Sequence, residues 1–398
     1  MAFSITPKVT WVGIVDWELT SFHGHELSTH KGTSYNAYLV RGEKTVLIDT
    51  VWRPFADRFI DQLQQVVDPS EIDLVVANHA EIDHSGALPE LMDLLGGDTP
   101  IYCTTNGVRS LKGHYHRDWN FQTVKTGDRV SLGDRELVFV EAKMLHWPDS
   151  MFCYLTGENI LFPNDAFGQH FASEHMYNDL VDQCELFQEC IKYYANILTP
   201  FSAQVARKIE EFTKLGLPVD LICPSHGVIW RKDPLQIVEK YAAWASDYQE
   251  DQVTLLYDTM WNATRHMAEA IAEGIKAVDQ ETTVKLLNGA IRDKNDIMTE
   301  VFKSKAVLVG SPTINRGILS SMAGLLEEMR GLNFKGKKAA AFGSYGWSGE
   351  SVKMISQLLD KGGFEVVNDG LKLAWKPDAE GIRQCIDFGR KTAEAWAK

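Results

Sequence analysis

The sequence predicts a two-part α/β protein, in which a sandwich of two β-sheets covered by helices is followed by a doubly wound parallel sheet. With 398 residues the chain exceeds what one ordinary hydrophobic core supports, so we expect two domains. Residues 1–250 mix strand-like apolar runs with loops and a few helices, whereas residues 251–398 alternate strands and helices regularly. We therefore predict one domain over residues 1–250 and a second over residues 251–398.

The elements of the first half follow from its apolar runs and its helical periodicity. The runs predicted as strands cover residues 45–49, 74–77, 137–140, 152–155 and 160–162. The stretches predicted as helices cover residues 54–67, 87–95, 183–196 and 203–214. A polar run at residues 246–251 closes a further helix, and it marks the predicted domain boundary.

The second half begins with a strand at residues 253–257 and a helix at residues 264–277. Four more short apolar runs predict strands at residues 284–287, 306–309, 339–342 and 364–367. Five strands in so short a segment fit a doubly wound sheet, whose ligand binds at the carboxyl ends of the strands.

Composition and charge narrow the class of protein. A hydrophobic content of 44% and a charged content of 24% are typical of soluble globular proteins. No apolar run approaches the roughly 20 residues that span a bilayer, and the first residues lack a signal-peptide pattern, so we expect a cytoplasmic protein without a membrane partner. The net charge is −14 and lies almost wholly in residues 1–250. This argues against nucleic-acid binding, which favours a basic face.

The six cysteines never form a Cys-x-x-Cys pair, so the sequence predicts no zinc ribbon, rubredoxin module or iron–sulfur cluster in this chain. If the protein needs electrons, we expect them to come from a separate donor.

Histidines and carboxylates recur shortly after the predicted strands of the first half. A His-x-Glu-x-Asp-His run follows residues 74–77, and three further candidates follow later strands; the full set is His79, Glu81, Asp83, His84, His146, Asp165 and His226. Side chains at strand ends are held by a rigid scaffold and share one edge of a sheet. A polar cluster satisfied within a loop would explain any single histidine, but the spacing of the whole set favours a dinuclear metal site.

The ligand types indicate which metal. Imidazole suits zinc, iron, copper and nickel, whereas carboxylates favour harder ions. A hydrolase site rich in histidine would carry a second His where Glu81 stands. Three carboxylates for two metals, one of them able to bridge, fit a pair of iron ions better than two zinc ions.

Three loops of the second half predict a cofactor site. The first follows the strand at 253–257 and opens a helix, where free backbone N–H groups and polar side chains would bind a single phosphate. The other two follow the strands at 306–309 and 339–342, and their aromatic and glycine residues suit a planar ring. The candidate residues are Thr259, Met260, Trp261, Asn262, Ala263, Thr264, Pro312, Thr313, Ile314, Asn315, Ser344, Tyr345, Gly346, Trp347 and Gly349.

Taken together, the His-x-Glu-x-Asp-His run and the segments at 35–39, 145–151 and 163–169 resemble the flavodiiron proteins (A-type flavoproteins). The resemblance covers nearly the whole chain and implies a metallo-β-lactamase-like αββα sandwich followed by a flavodoxin-like sheet. It implies that His79, Glu81, His146 and Asp165 hold one iron. It implies that Asp83, His84, Asp165 and His226 hold the other, with Asp165 bridging. His84 is the least secure ligand, because this histidine can turn away from the metal in the family.

The same resemblance assigns the three loops of the second half to FMN. It implies reduction of O2 to water, of NO to N2O, or of both, with electrons from rubredoxin or another small donor. It further implies a head-to-tail homodimer, or a dimer of dimers, in which the FMN of one chain lies beside the irons of the other. Trp147 could then pack against the partner's flavin, although a core position is as reasonable.

Two other functions are compatible with the residues. One is a zinc-dependent hydrolase with an accessory flavodoxin domain, against which Glu81 argues. The other is an electron-transfer or sensor protein with structural metals. Tyr193, Tyr194 and His25 are weaker candidates for the pocket around the metals.

Overall fold

The apolar runs of the first half form the strands of two sheets, in a computed structural model that describes residues 1–396. The strands are β1 (Phe3–Ser4), β2 (Val9–Trp11), β3 (Ile14–Asp16), β4 (Ser21–Phe22), β5 (Leu27–Ser28), β6 (Thr33–Tyr35), β7 (Tyr38–Arg41), β8 (Thr45–Ile48), β9 (Ile72–Val76), β10 (Ile101–Cys103), β11 (Phe121–Thr123), β12 (Arg129–Ser131), β13 (Glu136–Glu141), β14 (Met151–Leu155), β15 (Ile160–Phe162) and β16 (Leu221–Ile222). The first sheet has the order β1-β2-β7-β8-β9-β10-β11, and the second has the order β12-β13-β14-β15-β16. β3 pairs with β6 and β4 with β5 as separate two-stranded ribbons.

The helices of this half are α1 (Ala56–Gln64), α2 (Ile82–Ser85), α3 (Leu88–Leu94), α4 (Thr105–Tyr115), α5 (Gln183–Tyr193), α6 (Ser202–Lys214) and α7 (Leu235–Trp244). Alternating strand residues face opposite sides of the first sheet. Leu47 packs with Phe59 and Leu91 of α1 and α3, whereas Val46 and Ile48 pack against the second sheet. The result is a sandwich of two sheets with helices outside, as predicted.

The second half forms β17 (Glu250–Tyr257), α8 (Ala263–Val278), β18 (Thr283–Asn288), α9 (Lys294–Lys303), β19 (Ser304–Gly310), α10 (Ser320–Leu332), β20 (Lys338–Tyr345), α11 (Ser351–Lys361), β21 (Glu365–Val366), β22 (Leu371–Ala374) and α12 (Ala379–Trp396). The sheet is parallel with the order β18-β17-β19-β20-β21. This is the 2-1-3-4-5 order of the flavodoxin-like fold.

The edge of this sheet differs from the prediction of five strands. β21 pairs with the beginning of β20, and β22 pairs with its end. A turn at Gly370, where φ is +79°, separates the two short strands. Two short strands, β21 and β22, therefore occupy the fifth strand position, because the chain leaves β20 after β21 and pairs with it again at β22.

The chain divides into two compact units. The first comprises Met1–Tyr193 and Phe201–Ala242, and the second comprises Tyr194–Pro200 and the chain from Ala243 onward. The polar run predicted as the boundary, 246–251, already includes the first two residues of β17. Asp251 accepts a hydrogen bond from Thr282 at 2.7 Å inside the second unit. Among residues 1–396, every helix is too short or too polar to cross a bilayer.

Candidate functional site

Four strand ends of the first unit deliver the predicted metal ligands. The His-x-Glu-x-Asp-His run follows β9 and contains α2, His146 follows β13, Asp165 follows β15, and His226 follows β16. Six of the seven predicted residues are buried and His146 is nearly so, although charged side chains are rarely buried without partners. The structure therefore brings all seven into one buried cluster.

The first group of ligands comprises His79, Glu81, His146 and Asp165, which offer atoms that all lie within 4.8 Å of one another. Glu81 Oε2 lies 3.2 Å from His79 Nε2 and 3.3 Å from His146 Nε2. Asp165 Oδ2 lies 3.7 Å and 3.5 Å from the same two nitrogens. Two imidazoles and two carboxylates thus converge on one point.

The second group comprises Asp83, His84 and His226. Asp83 Oδ2 lies 3.2 Å from His84 Nε2 and 3.0 Å from His226 Nε2. The other carboxylate oxygen of Asp165, Oδ1, lies 3.0 Å from His84 and 3.5 Å from His226. Asp165 therefore presents one oxygen to each group, which is the geometry of a bridging carboxylate. His84, the least secure ligand by resemblance, turns its Nε2 inward.

Hydrogen bonds orient two of these imidazoles from behind. His79 Nδ1 donates to Asp149 Oδ2 at 2.9 Å, and the same oxygen accepts from the Ala80 backbone N–H at 2.7 Å. His226 Nδ1 donates to the Ser34 carbonyl at 2.7 Å. A second partner of this kind fixes the tautomer and leaves Nε2 for a metal ion. The sequence analysis missed Asp149, although it lies three residues after His146.

Buried polar atoms without hydrogen-bond partners test whether this cluster fits metal ions. Among residues 1–396, Asp83 Oδ1, Asp165 Oδ2 and His84 Nε2 are buried without a hydrogen-bond partner. Each such atom costs about 1–3 kcal/mol when it is left unsatisfied. Asp165 Oδ2 and His84 Nε2 lie among the other atoms of the cluster, where a cation would satisfy them. The donor set of four imidazoles and three carboxylates therefore fits a pair of metal ions.

The electrostatics of the cluster agree with this fit. Burial alone would lower the pKa of His84 and of His146, but neighbouring carboxylates outweigh burial and raise each pKa to about 9. Burial would raise the pKa of Asp165, yet the surrounding histidines hold it well below its ordinary value. The site thus attracts positive charge, which protons supply when no metal ion is bound.

The turn between β4 and β5 adds a histidine that the sequence analysis did not select. His23 Nε2 donates to Glu81 Oε1 at 2.7 Å, and this bond helps to raise the pKa of His23 although burial opposes it. The weaker candidate His25 is exposed in the same turn. The conformation of the turn, in which His23 has a φ of +51°, decides which of the two histidines reaches Glu81.

Further aromatic side chains surround the second group. His170 is buried, its Nδ1 lies 3.0 Å from Thr33 Oγ1, and its ring lies 5.1 Å from that of Tyr193. Tyr193, a weaker candidate, therefore lies near the cluster. Tyr194, another weaker candidate, belongs to the second unit, where it packs on Trp244 and Phe302.

Trp147 lies beside the first group of ligands. Its ring meets His79 edge to face at 5.1 Å and stacks on His114 at 6.2 Å. Trp147 is neither fully buried nor fully exposed. Within its own unit the tryptophan therefore supports the His79 imidazole.

The second unit contains a cleft of ≈ 1110 Å³ at the carboxyl ends of β17, β19 and β20. Its lining includes twelve of the fifteen predicted cofactor residues, which are Thr259, Met260, Trp261, Ala263, Pro312, Thr313, Ile314, Asn315, Ser344, Tyr345, Gly346 and Trp347. The volume suits a ligand somewhat larger than a drug-sized molecule. The cleft lies where doubly wound sheets bind their ligands.

The other three predicted residues, Asn262, Thr264 and Gly349, are not part of this lining. Asn262 adopts a φ of +64° at the start of α8, and its side chain makes no capping hydrogen bond. The first N–H groups of α8 are therefore available to an anion such as a phosphate. Thr264 is buried, with Oγ1 3.1 Å from Ser344 Oγ, so it joins the first loop to the third. A side chain at Gly349 would meet the Tyr345 ring at 3.2 Å.

Exposed tryptophans mark the rim of the cleft. Trp261 is 87% exposed and Trp347 is 90% exposed, although large aromatic rings usually avoid water. Trp375, which the sequence analysis missed, lies 6.4 Å from Trp347 and is 65% exposed. The other lining residues that it missed are Arg316, Ser348, Glu350 and Lys376. Exposed aromatic rings at the rim of a cleft can stack on the faces of a planar aromatic cofactor.

Comparison with known proteins agrees with the two-part architecture. Residues 33–227 match the family described as ODP family beta lactamase. Residues 255–389 match the flavodoxin family. The first match includes all seven clustered ligands, and the second includes the whole lining of the cleft.

Full-length relatives share both parts. The anaerobic nitric oxide reductase flavorubredoxins of Vibrio vulnificus and Escherichia coli K12 are 53% identical over 399 residues, which cover 100% of this chain and 80% and 83% of theirs. Rubredoxin oxygen:oxidoreductase from Desulfovibrio gigas is 38% identical with a TM-score of 0.96, covering 100% of this chain and 99% of its own. The flavodiiron protein from Giardia intestinalis is 32% identical with a TM-score of 0.94, covering 100% and 97%. The chain therefore belongs to the flavodiiron protein family.

Proposed function

We propose that this protein reduces NO to N2O, and O2 to water at a lower rate, at a di-iron centre supplied with electrons through FMN. The observation that carries the proposal is Asp165, which presents Oδ2 to one group of ligands and Oδ1 to the other. A carboxylate shared in this way would help to hold a pair of metal ions, which together can supply redox chemistry to one small molecule. Relatives that are 53% identical are named nitric oxide reductases, which favours NO over O2.

We assign the ligands as the geometry groups them. His79, Glu81, His146 and Asp165 hold one iron, and Asp83, His84, Asp165 and His226 hold the other. Iron bound by these residues would supply one-electron redox chemistry for reduction of a diatomic gas. The surrounding residues exclude bulk water, because the ligands are almost all buried.

Protons must reach the gas during reduction. Forming N2O and water from two NO consumes two electrons and two protons, and reducing O2 to two waters consumes four of each. His23 is suited to this transfer, since its Nε2 holds a proton against Glu81 Oε1 and its side chain is 39% exposed to solvent. A partly exposed histidine next to a buried ligand connects the site to solvent protons.

The second unit would bind FMN in its cleft. The phosphate would accept hydrogen bonds from the first N–H groups of α8, and the ring would lie among Trp261, Tyr345 and Trp347. Arg316 and Lys376 add positive charge to the same cleft. In this proposal residues 1–250 form the di-iron domain and residues 251–398 form the FMN domain.

We propose rubredoxin as the electron donor and a homodimer as the working form. The name of the Desulfovibrio gigas relative, rubredoxin oxygen:oxidoreductase, pairs rubredoxin with oxygen, which supports rubredoxin as the donor. The exposed tryptophans of the cleft would lose their contact with water in a head-to-tail dimer. The zinc hydrolase hypothesis is not favoured, because the relatives at 53% identity are named reductases.

Gas consumption under anaerobic conditions tests this function. Protein loaded with iron and FMN, together with chemically reduced rubredoxin, should consume NO and O2, with NO consumed faster. Omitting rubredoxin should stop both reactions. Consumption of neither gas would contradict the proposal, and faster consumption of O2 would reverse the preference.

A further inference from the structure

A funnel with apolar walls lies behind the metal-binding loops of the first unit. Its volume is ≈ 190 Å³, and it is bounded by the outer face of the second sheet together with α6 and α7. Phe152, Leu161 and Ile222 form the sheet wall. Their neighbours along the strands, including Cys153 and Ile160, face the core between the two sheets. The funnel is therefore separate from that core and from the ligand cluster.

The inner end of the funnel reaches the metal-binding loops. Leu145 and Phe167 form its floor, and both are buried. Leu145 directly precedes the ligand His146, and Phe167 follows the ligand Asp165 by two residues. The side chains of Leu145 and Phe167 line the funnel, whereas those of His146 and Asp165 enter the cluster. The funnel and the ligand cluster therefore share two short segments of chain.

The outer end of the funnel meets solvent. Leu235 is 48% exposed, and Ile209 and Phe212 on α6 are partly exposed. Towards the floor the walls become fully buried, as at Val205 and Ile222. Exposure therefore falls from the mouth to the floor, which distinguishes a funnel from an isolated packing defect.

Two polar side chains of the lining have partners within α6. The Thr213 hydroxyl donates to the Ile209 carbonyl at 2.8 Å, and the Lys208 amine pairs with Glu211. The ring of Tyr241 packs 4.8 Å from that of Phe167. An apolar cavity of about 150 Å³ stays dry and binds benzene or xenon. A slightly larger funnel whose walls are mostly apolar should likewise prefer a small apolar guest to water.

We propose that this funnel is a binding site for diatomic gas that concentrates NO or O2 and passes it to the metal centre between Leu145 and Phe167. The inference rests on the proposed function, because that function makes these gases the substrates. Both gases are small and nearly apolar, so they gain from leaving water for a dry cavity. The buried, charged face of the ligand cluster offers them no such preference.

Xenon and a filled funnel test the proposal together. A crystal pressurised with xenon should show xenon between Val205, Phe167 and Ile222, and Val205→Phe should abolish it. The same variant should raise the KM for the gas at least fivefold, while kcat at saturating gas and the iron and FMN contents stay unchanged. Ala206→Phe, at the exposed neighbouring position on α6, is the matched control and should change nothing.

A second variant can be used for the same test if Val205→Phe fails to fold. Ile209→Trp adds bulk at the partly exposed mouth and should raise the same KM. No xenon in the funnel, or an unchanged KM in a folded variant that excludes xenon, would overturn the proposal. Xenon binding requires neither iron nor turnover, so failure of gas reduction would contradict the proposed function and leave the binding result intact.

Discussion

The ligand cluster of the first unit and the cleft of the second unit meet opposite physical demands. The cluster is almost completely buried, and its charges are held by one another and by hydrogen bonds such as that from His79 to Asp149. The cleft is open, and its most prominent side chains, Trp261 and Trp347, are exposed. A metal ion depends on a few donor atoms in fixed positions, whereas a large planar cofactor makes many contacts over its whole surface. We therefore expect substitutions in the cluster to remove the metals entirely and substitutions in the cleft to weaken a cofactor by degrees.

The bridging carboxylate should give the largest effect. Asp165→Ala removes the oxygens that face both groups of ligands, so we expect loss of nearly all bound iron and of all gas consumption, with FMN retained. Iron and flavin can be measured on the same purified sample. Asp61→Ala, which changes an exposed carboxylate of α1, is the control and should keep both cofactors. Full turnover by Asp165→Ala would refute the bridging role.

The orienting carboxylate should give a smaller effect on the same metal. Asp149→Asn keeps the shape of the side chain but weakens its hydrogen bonds from His79 Nδ1 and the Ala80 N–H. Losing such a partner lowers metal affinity by about 10–100-fold. Competition with a chelator would measure this change, and FMN affinity serves as the internal control. An unchanged iron affinity would show that His79 needs no orientation by Asp149.

Removing the Thr264 hydroxyl at the start of α8 should weaken FMN binding without abolishing it. Thr264→Ala removes the contact with Ser344 that joins two of the cofactor loops. Losing one such hydrogen bond costs about 1 kcal/mol, which weakens FMN binding by about five- to tenfold. Fluorescence titration of the apoprotein with FMN would detect it. Thr264→Ser should restore the affinity, and loss of iron in Thr264→Ala would contradict the independence of the two sites.

Buried titratable groups also differ between the two units, because their pKa values are shifted in opposite directions. In the cluster, carboxylates outweigh burial and raise histidine pKa values, whereas in the second unit burial lowers the pKa of Lys337 to about 7. Its amine donates only to backbone carbonyls, including those of Phe302 and Ser304 at 2.7 Å. A lysine in the unfolded chain titrates near 10.4, so between pH 7 and about 10 the unfolded state binds more protons.

This difference predicts how stability depends on pH. The free energy of unfolding should gain up to about 1.4 kcal/mol per pH unit from Lys337 as the pH rises above 7. Lys337→Met should lack that gain, which denaturation with urea at pH 7 and pH 9 would measure. An identical pH dependence in both proteins would show that Lys337 keeps its charge when folded.

Much of this organisation could be predicted from the sequence. The seven clustered residues follow strands and are of types that seldom enter a core, so their spacing and chemistry predicted that they would lie together, as they do. The cleft could be predicted because the topology of a doubly wound sheet fixes which loops meet. The match to the flavodoxin family and the order of the second sheet confirm that part of the fold.

The residues that escaped prediction depend on contacts between distant segments. His23 reaches Glu81 from 58 positions away through the turn after β4, and nothing local separates it from His25. Trp375 reaches the cleft only because β22 rejoins β20, an arrangement that a short, half-exposed strand does not reveal. Asp149 was missed because an aspartate in a loop more often caps a turn or faces solvent than orients a histidine.

Iron and FMN analysis of the anaerobically purified protein tests the central claim most directly. The account predicts two irons and one FMN per chain, with iron lost and FMN kept in Asp165→Ala. Two zinc ions in active protein, or iron retained in full by that variant, would contradict it.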